Sequence, residues 1–333
     1  MLSAVSPGCA FQDYTMKTVC LDCNTVYAPD DARWARFASL GDFEVYDRTD
    51  ESEIVERCAG ADAVLTNKVP LSAATIAKLP GLRYIGVLAT GYNIVDVKAA
   101  AAAGVAVTNI PSYSTRSVAQ QVFALLLAIT NRVEEYAREN ASGRWCRSLD
   151  FSYRLQEWHE LAGKTMGIVG LGHIGASVAA IASALGMKVA VYTSKSQAEL
   201  PEEYVKMELD ELFATADVVS LHCPLTDSTH NMADARRLSL MKPSAILINT
   251  ARGPLVNEPA LADALNEGRI FAAGLDVLCN EPPKADCPLV GARNCFITPH
   301  IAWASAEARE RLFEIAFENL KAYAEGRVQN RVN

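Results

Sequence analysis

Along residues 17–110, short apolar runs alternate with stretches whose apolar positions recur at helical spacing. The runs at 18–21, 43–46, 63–66, 84–88 and 105–109 read as strands. The stretches at 31–39, 51–59, 72–78 and 94–103 read as helices, the last closed by Gly104, a helix stop. Residues 118–140 read as one long helix, and 141–163 are polar and aromatic with no clear period. A second series follows, with strands at 165–169, 188–192, 218–221, 245–248, 272–275 and 295–297, then a final helix at 304–325. Strands alternating with helices build βαβ units around a parallel sheet. The pattern therefore predicts an α/β chain with two Rossmann-like parallel-sheet domains flanking a cleft. One comprises residues 17–110 plus 303–333, the other 111–302. Residues 1–16 read as an N-terminal tail.

Composition narrows the possibilities. Of 333 residues, half are hydrophobic and 21% charged, which excludes a disordered chain. The formal net charge is −8 without a basic run, so nucleic acid is not an expected partner. No uncharged apolar run reaches the roughly 18–20 residues of a membrane helix. Residues 1–15 carry no Lys or Arg and no apolar core of signal-peptide length, so they do not read as a secretory signal. Nine cysteines, an odd number, predict a reducing cytoplasm rather than a disulfide framework. Cys20 and Cys23 form a C-x-x-C, but Cys20 sits inside an apolar run rather than opening a helix, so the pair reads as incidental. No metal site is expected.

Gly170-Leu-Gly172-His-Ile-Gly175 follows one predicted strand and precedes a helical stretch. That context turns a weak G-x-G-x-x-G into a strong dinucleotide signature. Gly170 permits a tight turn, Gly172 lets backbone approach a pyrophosphate, and Gly175 lets helix pack on strand. The diphosphate would face free N–H groups at the helix N-terminus. An NAD enzyme normally carries Asp or Glu at the end of the next strand. Here that place holds Thr193, Ser194 and Lys195, with no carboxylate from Thr193 to Gln197. Hydroxyls and a cation suit a 2′-phosphate, so the loop favours NADP over NAD. The alternative is that Thr193 bonds an NAD ribose and Lys195 is simply solvated. Because a whole α/β domain precedes the fingerprint, residues 17–110 are read as the substrate-binding domain.

Active sites of open α/β sheets lie at the carboxyl ends of strands. Three such ends carry Arg252, after Asn249-Thr250-Ala251, Glu281, after Gly274-Leu-Asp276-Val277, and His300, after Thr298-Pro299. Reducing a keto acid needs this set. A guanidinium can hold carboxylate and carbonyl oxygens. An imidazole can move a proton to the developing alkoxide. A carboxylate can orient that imidazole. Singly, each residue has an ordinary surface or core reading; together they do not. In the first domain, the amides of Ala89-Thr90-Gly91 can cradle a carboxylate, and Asn67 and Lys68 can reach a hydroxyl or an anion, although Lys68 also reads as a solvated loop lysine. Val118 can back a nicotinamide ring or merely fill the core. His222-Cys223-Pro224 is read as part of the cofactor wall, and Thr250 as a cofactor neighbour.

These motifs resemble the D-isomer-specific 2-hydroxyacid dehydrogenases, from about Lys17 to Val332. The likeness rests on Gly170–Gly175, on Leu247-Ile-Asn-Thr-Ala-Arg252-Gly253, on Gly274-Leu-Asp276-Val277 with Glu281-Pro282, and on Thr298-Pro-His300. Val64-Leu-Thr-Asn67-Lys68 and the run from Tyr84 to Asn93 are most similar to the glycerate dehydrogenases, or hydroxypyruvate reductases. The resemblance implies that Arg252 binds substrate, that His300 is the acid/base and that Glu281 is its partner. It implies that Asp276 contacts the nicotinamide end and that His173 and Ile174 cover the pyrophosphate. Residues 141–158 resemble the family's dimer arm, which implies a homodimer. Thr193, where Asp is usual, departs from the NAD-type pattern. Two other readings stay open: a dinucleotide-sensing, corepressor-like binding protein on this fold, and a phosphoglycerate dehydrogenase without a regulatory domain, since the chain stops soon after its last helix.

Overall fold

The computed structural model describes residues 15–155 and 159–333. The chain divides into two compact units, one holding residues up to Tyr113 and from Ala306 to the end, the other Ser114–Ser305. The expected tail at 1–16 falls almost wholly outside the described residues, as does the end of the segment 141–158 that resembles a dimer arm. The first strand starts at Lys17, just after the buried Met16.

The first unit holds a five-stranded, all-parallel sheet of β1 (Lys17–Cys20), β2 (Asp42–Val45), β3 (Ala63–Thr66), β4 (Tyr84–Val87) and β5 (Ala106–Thr108), in the order β2-β1-β3-β4-β5. Parallel strands covered on both faces read as continuous apolar runs, and β3 and β4 are buried at every position. The order reverses between β1 and β3, so the loops after those two strands flank the crevice where open α/β sheets bind ligands. The C-terminal helix Ala306–Ala324 belongs to this unit: Tyr323 lies 4.7 Å from Tyr84 between ring centroids, and Phe313 packs edge-on against Trp34 and Phe37.

The second unit holds a seven-stranded parallel sheet. Its strands are β6 (Thr165–Val169), β7 (Lys188–Tyr192), β8 (Tyr204–Lys206), β9 (Val218–Leu221), β10 (Ile246–Asn249), β11 (Ala272–Leu275) and β12 (Cys295–Ile297). The order is β12-β11-β10-β9-β6-β7-β8, the doubly wound arrangement with its switch point between β6 and β9. Both parallel sheets are Rossmann-like. β8 carried no sequence signal because it is a three-residue edge strand with only Tyr204 buried.

One expectation fails. Residues 118–140 are not one helix but two, Thr115–Asn131 and Val133–Ala141. Arg132 between them is left-handed, with φ +51, and its N–H closes the first helix on the Ala128 carbonyl. Its guanidinium donates to Asn294 Oδ1 at 3.0 Å, a tertiary bond that a sequence pattern does not reveal. Among the described residues no helix is long and apolar enough to cross a membrane.

Candidate active site

Three loops at the carboxyl ends of β10, β11 and β12 carry Arg252, Glu281 and His300, and their geometry is fixed by a web of backbone bonds. His300 Nδ1 lies 2.5 Å from Glu281 Oε2. The other carboxylate oxygen of Glu281 accepts from the Leu278 N–H at 3.0 Å, which fixes the rotamer that meets the imidazole. His300 itself adopts φ +53, an uncommon conformation for a residue with a Cβ. Its N–H is held by the Asp276 carbonyl at 2.8 Å. Such strain persists only where surroundings over-determine it. Here Asp276 supplies the constraint. Its carboxylate accepts from Thr298 Oγ1 at 2.6 Å, Ile301 N at 2.9 Å and Ala302 N at 2.8 Å. Burial pushes the Asp276 carboxyl upward and these donors oppose the rise. The structure thus gives Asp276 a role the motif did not suggest: it clamps the loop that presents His300.

Arg252 is positioned the same way. Asn249, buried at the end of β10, donates from Nδ2 to the Arg252 carbonyl at 2.9 Å and accepts from the Ala251 N–H at 3.0 Å. Asn249 escaped the sequence reading; an amide-bearing residue at a strand end, just before the candidate arginine, was its available signal. Gly253 brings the Arg252 loop against the Glu281 loop. A Cβ on Gly253 would stand 2.0 Å from the Leu278 carbonyl carbon and 2.4 Å from Cys279 N. Glu258 ties the same loop from the other side, accepting from Cys279 N at 2.6 Å.

The dinucleotide fingerprint forms the turn from β6 into the helix His173–Ala184, whose first residues are the last three of the fingerprint itself. Gly170 is at φ +96, and a Cβ on Gly175 would meet the Gly170 oxygen at 2.1 Å, so both places admit only glycine. Gly172 is the N-cap, makes no side-chain cap, and has nothing within 4 Å of an added Cβ. The first amides of a 12-residue helix therefore border open space, which suits a diphosphate. His222 and Cys223 back Gly170 across the switch point. His222 keeps some contact with solvent, but its ring is desolvated and held down to about 4, hence neutral, and its Nε2 lies 2.9 Å from Ser220 Oγ. Pro224 follows, exposed. Thr250 is buried and its hydroxyl has no partner among the described residues, an orphan that a bound cofactor can satisfy. Val118 is buried on the helix Thr115–Asn131. These features together fit a dinucleotide.

At the end of β7, Thr193 Oγ1 accepts from Lys195 N at 3.3 Å, and Ser194 and Lys195 are exposed. In the first unit, buried Asp22 at the end of β1 accepts from the amides of Asn67, Lys68 and Val69 at 2.8, 2.5 and 3.3 Å, bridging the switch point there. Thr90 Oγ1 donates to the Ile110 carbonyl at 2.7 Å, so at Ala89-Thr90-Gly91 the backbone amides, rather than that hydroxyl, are the donors for an anion. Cys20 and Cys23 are buried, and burial raises both thiols, Cys23 to about 11, which disfavours thiolate chemistry. Among the described residues no group of three or more His, Cys, Asp or Glu is placed to hold a metal ion.

Comparison with known proteins agrees with this geometry. Residues 123–302 match the family model for the NAD binding domain of D-isomer specific 2-hydroxyacid dehydrogenases. The chain is 45% identical over 322 residues to a hydroxypyruvate reductase of Blautia hydrogenotrophica, covering 96% of this chain and 100% of that one. It is 41% identical over 326 residues to a glycerate dehydrogenase of Methylorubrum extorquens, covering 96% and 99%. Among solved structures it superposes on an acyclic imino acid reductase, Bsp5, in complex with NADPH and D-Arg, with TM-score 0.84, 33% identity and coverage of 96% and 100%. With the family model over residues 123–302 and relatives at 41–45% identity over nearly the whole chain, the chain belongs to the D-isomer specific 2-hydroxyacid dehydrogenases, a family of oxidoreductases.

Proposed function

We propose that this enzyme reduces hydroxypyruvate to D-glycerate, accepts glyoxylate as a second substrate, and favours NADPH over NADH. The observation that carries the reading is the 2.5 Å contact between His300 Nδ1 and Glu281 Oε2. With Nδ1–H donating to the carboxylate, Nε2 is left as the nitrogen that exchanges a proton with the substrate oxygen. Arg252 engages the carbonyl oxygen and the adjacent carboxylate through its planar fork. The bound nicotinamide cofactor supplies the hydride to the keto carbon. In this reading Asp276 and Val118 border the nicotinamide, Thr250 meets the cofactor, and the turn Gly170–Gly175, with His173 and Ile174, holds its diphosphate. His222, Cys223 and Pro224 form the wall. Asn67 and Lys68, and the amides of Ala89, Thr90 and Gly91, take the substrate's hydroxyl and carboxylate.

The two relatives, a hydroxypyruvate reductase and a glycerate dehydrogenase aligned over nearly the whole chain, support hydroxypyruvate as substrate. The loop Thr193-Ser194-Lys195 supports NADPH, as does the NADPH complex of the structural neighbour. We further propose a homodimer. Leu149 and Phe151 are 103% and 91% exposed, and Trp145, whose Nε1 donates to the Phe151 carbonyl, is exposed with them; exposed apolar side chains gathered in one segment mark contact surfaces. The described cysteines are free, which supports a cytoplasmic location. The test is initial rates with hydroxypyruvate, glyoxylate, pyruvate and phosphohydroxypyruvate, each with NADH and NADPH. Highest kcat/KM for hydroxypyruvate with NADPH is expected. Dominance of phosphohydroxypyruvate, or absence of turnover with all four, overturns the reading.

A further inference from the structure

The ribose end of the dinucleotide turn contains a cation that the sequence does not announce. β8 is paired in parallel with β7, with Lys206 opposite Val191, and Met207 N donates to the Val191 carbonyl at 2.9 Å. This register sets Lys206 at the same sheet edge as the loop that follows Tyr192. Its ammonium donates to the Lys195 carbonyl at 2.6 Å. Its backbone is tied to the same loop, since Lys206 N donates to Gln197 Oε1 at 2.9 Å while Gln197 Nε2 donates to the Tyr204 carbonyl at 2.8 Å. Lys206 is half-buried, and its bond to the Lys195 carbonyl directs the ammonium to that loop.

We propose that Lys206 is a specificity-determining residue, which with Lys195 forms a two-cation seat for the 2′-phosphate of NADPH. The proposal rests on the reading that the loop Thr193–Lys195 faces the adenosine ribose. An ammonium carries three donors. One is spent on the Lys195 carbonyl, leaving two for phosphate oxygens. A dianionic phosphate between two ammonium groups gains charge-assisted hydrogen bonds from both, and a free 2′-hydroxyl gains little from either. Glu199 is the opposing charge nearby. Its Oε2 is turned onto Ser196 N and Ser196 Oγ, each at 2.8 Å, and those bonds together with the two lysines hold it ionised. The carboxylate is thereby engaged in the capping turn.

The experiment measures dissociation constants of NADPH, NADH, adenosine 2′,5′-bisphosphate and adenosine 5′-monophosphate, by calorimetry, for the wild type, Lys206→Gln and Lys206→Arg, with melting temperature as a check on folding. The wild type should bind the bisphosphate more tightly than the monophosphate. Lys206→Gln should weaken NADPH and the bisphosphate by about 10- to 100-fold, the range of one charged hydrogen bond. NADH and the monophosphate should stay within about twofold, a bound that leaves the charged-bond effect clearly visible. Lys206→Arg should restore most of the loss. If Lys206→Gln weakens NADPH and NADH alike, or leaves both unchanged, while the wild type still prefers the bisphosphate, Lys206 is only a staple of the loop and the inference fails alone. If the wild type shows no preference for the bisphosphate, the NADPH reading fails and takes this inference with it.

Discussion

Glu281 and His300 meet through one oxygen, while the second oxygen of the same carboxylate is bound to the Leu278 amide. The pair is therefore a directed contact, since Glu281 cannot rotate away without abandoning a backbone donor. Two substitutions separate orientation from chemistry. His300→Asn removes the proton donor, and kcat should fall by about 10²–10⁴-fold, the usual worth of a positioned acid. Glu281→Gln keeps the shape and an acceptor for Leu278 but removes the charge, and should cost less than His300→Asn. Steady-state kinetics with cofactor titration checks both. A His300→Asn enzyme within tenfold of wild type would remove the histidine from the mechanism.

Gly253 is a steric requirement, not a conformational one. Its added Cβ would lie 2.0 Å from one backbone atom and 2.1 Å from the next on the facing loop, and neither is the tip of a flexible side chain. Gly253→Ala must push the Arg252 and Glu281 loops apart. Overpacking of this sort costs about 1–3 kcal/mol, and the displacement should lower kcat/KM far more than the melting temperature indicates. Unaltered kinetics in a folded Gly253→Ala protein would show that the two loops act independently.

Asp276 should behave as a clamp. Asp276→Asn retains one acceptor but turns an amide donor toward donors now served by Oδ1 or Oδ2. Losing a buried partner leaves a cost of about 1–3 kcal/mol. The His300 loop, left-handed at the histidine, should then loosen. The expected signature is a lower melting temperature with faster hydrogen exchange at Ile301 and Ala302. Exchange unchanged at both amides would deny the clamp.

Most strands were legible because parallel strands buried on both faces are uninterrupted apolar runs, as at residues 63–66 and 218–221. Tyr204–Lys206 was not, because an edge strand of three residues has one buried side chain and no period. The break at Arg132 was hidden for another reason. Its left-handed backbone is accompanied by a bond to Asn294, distant by 162 positions. The candidate residues Arg252, Glu281 and His300 were visible as strand-end exceptions to the apolar pattern. Their supports, Asn249, Asp22 and Glu258, were not, because each acts on backbone groups of a neighbouring loop, and the sequence does not say which loops adjoin.

Arg252 gives the sharpest test of substrate recognition. Its loop is fixed by Asn249 at two points and seated on the Glu281 loop through Gly253, so the guanidinium projects from an ordered base. Its Nη1 donates to the Ala251 carbonyl at 2.7 Å, which uses one donor and leaves the rest of the fork for a ligand. A guanidinium presents five N–H groups in a plane, whereas an ammonium is a compact point charge on a flexible stem. Arg252→Lys therefore keeps the charge and loses the fixed two-point geometry. A charged hydrogen bond is worth about 1.5–3 kcal/mol, so kcat/KM for hydroxypyruvate should fall by about 10- to 100-fold or more, with NADPH affinity unchanged. In the proposed pose the fork spans both the carbonyl and the carboxylate, so the loss should appear in kcat as well as KM. Guanidine added to Arg252→Ala should restore part of the rate, whereas methylammonium should not. Equal kinetics for the arginine and lysine enzymes would move substrate recognition elsewhere.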